Sequence, residues 1–231
     1  MFKLMNITLG RALNKSEISG AFDGGRLPEQ VAVAAGLETG TQVATNTGWR
    51  ANEDIVQGDA VLTFDGDLQK VCRITRRILW SSPEKAPKHL WPLEVPAHAL
   101  GNQHKMNLLP EQNVLVETDA AEEQYGDPFT VLPAAALIGF HGITQVKPRE
   151  EVVVYTLHFE QEQIVFSCSG ALFLCPANDE DPLLHTDESA DEYKVLPMKQ
   201  ACHLVSSMKR EKFALNSQVA KIGSAQYAAM A

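Results

Sequence analysis

Between Gly36 and Cys175 the chain never keeps one pattern long enough for a long helix. It offers short β-branched or aromatic runs: "TQVAT", "DAVLTF", "QKVCRITRRILW", "QNVLVET", "FTVLP", "EVVVYTLHFE" and "QIVFSC". Turn signals divide them: "NTGW", "QGD", "DGD", "YGDP" and "KPRE". Short strands with turns between them predict a mainly β domain, a sandwich or barrel. "FDGDLQ" sets Asp65-Gly66 between two strands, the strongest local hairpin signal in the chain. In "VVVYTLHFE", Val152, Val154, Thr156 and His158 share one face against Val153, Tyr155, Leu157 and Phe159. The second set is more apolar and is expected to face the core, leaving His158 solvated. Asp59 and Asp65 read as turn residues whose side chains hold backbone amides.

The flanks differ in texture. Residues 1–35 read as an N-terminal extension, in which "LPEQVAVAAG" suits either a short helix or an extended lead-in. Residues 36–176 form the β-domain, and the acidic stretch 177–193 a linker or solvated loop. Residues 194–231 form a helical tail, with Met198, Ala201, Val205 and Met208 at helical spacing. "ETDAAEEQYGD" reads as a second solvated acidic loop. "LEVPAHALG" and "TVLPAAALIG" echo each other as strand end, proline and Ala-rich turn, which is either an internal repeat or chance.

Charge and cysteine usage narrow the function. A net charge of −9 argues against nucleic acid or an anionic membrane surface as a partner. No run approaches the ~20 apolar residues of a membrane span, and "MFKLMNITLGRALNKSEISG" lacks the apolar centre of a cleaved signal, so a cytoplasmic protein or one exported without such a signal is expected. Cys72, Cys168, Cys175 and Cys202 are too scattered for a disulfide framework; reduced, buried thiols are expected, with a Cys168–Cys175 bridge left open. Cys202 and His203 point about 100° apart on a helix, a poor chelate, and no metal or cofactor motif is present, so neither is expected. Arg73, Arg76 and Arg77 with Trp80 and Trp91 form a candidate interface; a plain exposed strand face explains the arginines better, and packing on the sheet edge explains the tryptophan loop equally.

The β-region resembles the Hint superfamily, the Hedgehog/intein self-processing fold, in its bacterial Hint-domain form. The resemblance rests on "GTQVATNTGWRANEDIVQGDAVLTFDGDLQKVCRI", then "PLEVPAHALG" with "NLLPEQNVLVE", then "FTVLPAAALIG" and "VVVYTLHFEQEQIVFSCSG". It implies a horseshoe of short strands with pseudo-twofold symmetry. It also implies an acyl shift at the domain's first residue. That chemistry takes a Cys or Ser nucleophile, a histidine at the scissile amide and donors for the oxyanion. Here the nucleophile position holds Gly36. The family's Ser/Thr-Pro-x-His reads Leu109-Pro110-Glu111-Gln112. The later histidine aligns with Gln163, and Thr156 stands where many members carry an aspartate. The resemblance therefore implies a catalytically degenerate domain, a pseudoenzyme kept as a structural or protein-binding module. Its partners would be protein, by self-assembly or within a larger complex. The alternative is self-processing by a displaced hydroxyl, Thr39 or Thr41.

Overall fold

The computed structural model describes residues 35–65, 67–80, 82–168, 170–178 and 193–210. The N-terminal extension, nearly all of the acidic linker and the end of the tail lie outside the described residues. The chain enters through β1 (Leu37–Glu38), then forms the hairpin β2 (Gln42–Thr45) and β3 (Gly48–Ala51). A second hairpin follows, β4 (Ala60–Leu62) with β5 (Leu68–Lys70), around the "FDGD" turn as expected. Asp59 accepts from the Val56 amide at 2.9 Å, as turn chemistry predicts, and also pairs with Arg50 at 2.8 Å. Then come β6 (Arg73–Trp80), β7 (Leu93–Val95), β8 (Met106–Leu108) and β9 (Asn113–Glu117). After α1 (Asp119–Tyr125) run β10 (Phe129–Pro133), β11 (Thr144–Gln145), β12 (Val152–His158), β13 (Gln163–Ser167) and β14 (Ala171–Cys175).

The architecture is mainly β. An eight-stranded sheet runs β10-β9-β14-β13-β2-β4-β5, with β3 on β2. Two three-stranded sheets, β1-β12-β6 and β11-β7-β8, complete a half-barrel of curled antiparallel strands. The echoed segments share a local device. A proline follows or ends a strand, a short turn comes next, and Gly101 (φ +79°) or Gly139 (φ +78°) closes it.

A second helix, α2, covers 198–210 of the described chain. Ala201, Leu204, Val205 and Met208 are buried in the same core as the strands, at i, i+3, i+4 and i+7. Met198, expected on that face, is 45% exposed, because it starts the helix before the packed stretch begins. No helix among the described residues is long and apolar enough to cross a membrane.

Three expectations are corrected. "ETDAAEEQYGD" is not a solvated loop: Ala120 and Ala121 are buried and give α1 an apolar anchor, and Gly126 caps it in the left-handed region. On β12 the core face is not one set. Val152 and Val154 are buried at the start, Leu157 and Phe159 at the end. The strand is central in a twisted sheet, between β1 and β6, and the register slips between Val152 and Val153. The four cysteines are free, but only Cys175 is buried. Its surroundings push the thiol up to about 12, because burial disfavours the thiolate.

Candidate functional site

The start of β1, the turn before β9, β12 and the end of β14 meet at a cleft of about 480 Å³. Gly36, Gln112, Thr156, His158, Glu162 and Cys175 are among its walls. The turn that carries Gln112 is fixed by backbone bonds from Gln112 N to Leu109 O (3.1 Å) and from Ala134 N to Gln112 O (2.8 Å). Leu109 is fully buried, so the turn is anchored by an apolar side chain where the resemblance would place a hydroxyl.

Gln112 is the hub. Its Oε1 accepts from the Gly36 amide at 2.9 Å. Its Nε2 donates to the carbonyls of Leu174 and Asn113, each at 2.9 Å. The side chain is only 4% exposed, so one carboxamide ties the domain's entrance to β14 and to β9. A carboxamide does not titrate, and its oxygen faces the amide N–H. It holds the nitrogen and cannot protonate it.

Gly36 is constrained by backbone as well as by chemistry. Its φ is +117°, and a Cβ built there would lie 3.1 Å from Thr156 Oγ1 and 3.2 Å from the Tyr155 carbonyl. A nucleophile at this position would be both strained and tight against β12. Thr156 therefore fills the space that a side chain on residue 36 would use.

His158, expected to be solvated, is half-buried and lines the cleft. Its Nδ1 lies 3.3 Å from the Ala177 carbonyl and its Nε2 3.2 Å from Thr75 Oγ1. Nδ1 also lies 3.5 Å from Arg73 Nη2, so the ring links β6 to the chain after β14. Face alternation alone could not find this residue, because its partners lie on other elements. Gln163 is buried on β13 on the Val165 face and is not a cleft residue; its neighbour Glu162 is.

Thr39 and Thr41 are elsewhere. They border a second cleft of about 430 Å³, together with Glu38, His104, Asn107 and Cys168. The Thr39 hydroxyl donates to Val153 O at 3.2 Å and that of Thr41 to Glu38 O at 2.5 Å. In the same cleft burial raises the Glu38 carboxyl, partly offset by a hydrogen bond with the Asn107 side chain. A raised carboxyl means the folded state binds the proton more tightly. Stability is therefore lost as pH rises from the ordinary value of 4.5 through the folded one. Glu38→Gln is expected to raise the melting temperature at pH 7 by about 2 °C. The gain should vanish below the ordinary carboxylate range, which thermal scans at pH 7 and about pH 3 would check.

Of the five candidate interface residues, Arg73, Arg76, Arg77 and Trp80 lie on β6 and Trp91 in the loop that follows it. Trp91 donates its Nε1–H to Ala86 O at 2.8 Å within its own loop. Arg73 Nε donates to Asn178 Oδ1 at 2.9 Å, at the opposite end of β6 from Trp80. Arg76 and Arg77 are exposed.

A family model described as Hint domain matches residues 35–172. Among solved structures, a bacterial intein-like domain from Clostridium thermocellum is 16% identical, with a TM-score of 0.40, covering 60% of this chain and 97% of that one. The MchDnaB-1 intein is 15% identical, with a TM-score of 0.37, covering 62% of this chain and 99% of that one. No curated protein matches the chain.

Proposed function

The chain belongs to the Hint-domain family, and from that premise we propose that it is a non-catalytic member, a structural or protein-binding module within a larger assembly. The observation that carries this reading is the Gly36–Gln112 contact. Acyl-shift chemistry takes a nucleophile on residue 36 and a proton donor at its nitrogen. Here the first has no side chain and a backbone that favours none, and the second is an acceptor held at 2.9 Å. Cys175, the thiol in the cleft, is kept protonated by burial, with its pKa pushed up to about 12. A thiol in that state is a weak nucleophile. The protein is expected to keep its intact mass over several days at pH 7, with and without added thiol. Gly36→Cys is expected to stay intact too, because the new side chain would meet Thr156 and Tyr155. A fragment beginning at Gly36 from the wild-type chain would sink the reading.

One observation favours a second reading, self-processing by a displaced hydroxyl. The hydroxyl beside residue 36 is that of Thr156, not Thr39 or Thr41. In that case Thr156 Oγ1 bonds to the Ala35 carbonyl carbon, the bond to the Gly36 nitrogen breaks, and the hydroxyl proton passes to that nitrogen. Water then hydrolyses the ester and releases residues 1–35. Against it stands Gln112, which accepts from the departing nitrogen and gives it no proton, so that the Thr156 hydroxyl would have to supply it unaided. A fragment that disappears in Thr156→Val, and persists in a Thr39→Val/Thr41→Val double variant, would establish the second reading.

A further inference from the structure

The strand β6 is eight residues long and pairs on one side only, with β12. From Ile74 to Trp80, about 23 Å at ~3.3 Å per residue, its other edge has no ladder partner among the described residues, and such an edge is a template for another strand. Its centre is exposed: Arg76, Arg77 and Ile78, the last at 47%. Alternation points Arg76 and Arg77 to opposite faces of the sheet, and Arg77 borders the 480 Å³ cleft. An incoming strand would meet a guanidinium on each face and an apolar side chain next along.

We propose that the outer edge of β6 is a docking site for an extended acidic peptide segment of another protein, bound by strand addition along the rim of the cleft. Charge selects the occupant. A second copy of β6 would set Arg76 and Arg77 against their own kind, and like charges opposite each other oppose pairing. The chain as a whole carries −9, so this basic edge is a local departure that an acidic partner can find. Main-chain bonds to β6 would supply affinity, and two adjacent acidic residues followed by a β-branched one would supply register. The inference deepens the module reading by naming its surface. The two fail separately: self-cleavage would leave the edge intact, and a silent edge would leave the cleft inert.

The test uses the full chain and a fluorescein-labelled peptide carrying two adjacent glutamates between β-branched residues. Binding is read by anisotropy, and amide hydrogen exchange is followed with and without peptide. Expected results are saturable binding that weakens with salt, and exchange protection confined to residues 73–80. The Arg76→Glu/Arg77→Glu double variant should bind at least about tenfold more weakly. Both side chains are exposed, so the variant should keep the wild-type melting curve. A control peptide of equal charge, with prolines in place of the β-branched residues, should not bind, since it cannot donate to a ladder. Equal binding by the proline peptide, protection elsewhere, or unchanged affinity in the double variant would each overturn the proposal. So would absence of binding, or a dimer protected along β6.

Discussion

Gln112→Leu should be among the most damaging single changes in the domain, lowering the melting temperature by about 10 °C. The leucine fills similar volume but leaves the Gly36 amide and the carbonyls of Leu174 and Asn113 without their side-chain partner. Each abandoned buried group costs about 1–3 kcal/mol, less where cleft water can reach it, so the sum is about 3–5 kcal/mol. Gln112→Glu separates donor from acceptor. The carboxylate still accepts from Gly36, but it turns oxygen toward the Leu174 and Asn113 carbonyls. It should be as damaging as leucine at pH 7 and partly recover at acid pH, where a protonated carboxyl regains one donor. Thermal unfolding followed by circular dichroism decides this. A leucine variant within about 2 °C of the parent would mean that the glutamine is not the hub, and the Gly36 contact would lose its weight.

What could be read in the sequence follows from how local its cause is. The "FDGD" hairpin and the 198–210 helix were legible because neighbouring residues dictate them. On β12 alternation misled, because which face is buried depends on what covers the strand at each end. Helix α1 was hidden by its charge: acidic residues dominate its composition, and the two alanines that anchor it carry little hydropathic signal. At the site, the replaced residues Gly36 and Gln112 could be identified by position. Their contact across 76 residues could not, nor could the left-handed φ that makes Gly36 a backbone requirement. The burial of His158 is hidden from local sequence for the same reason, since Thr75 and Ala177 reach it from other elements.

Gly170→Ala is expected to be at least as costly, because its clash is with backbone. The added Cβ would overlap the Gly101 carbonyl oxygen, at a φ of +149° that side chains rarely adopt. No rotamer change relieves an overlap between two main chains, so one of the two segments must move. Gly101→Ala would approach the Gly170 carbonyl at 2.9 Å, a milder conflict. The loss expected for Gly170→Ala is about 3–5 kcal/mol, in the range of overpacking combined with backbone strain. The site would feel the movement. Gly170 sits in the β13–β14 hairpin beside Cys168, itself at φ +47°, whose amide donates to Gln42 O at 2.9 Å while Ser167 Oγ donates to the same oxygen at 2.7 Å. Through Gln42 the hairpin grips the first strand after the entrance, so displacing it should loosen β2 along with β13. Hydrogen exchange should therefore show faster exchange at Val43 and Cys168 in Gly170→Ala, and a smaller change in Gly101→Ala. Equal stability of the two variants would show that the contact between the glycines is not what holds the hairpin in place.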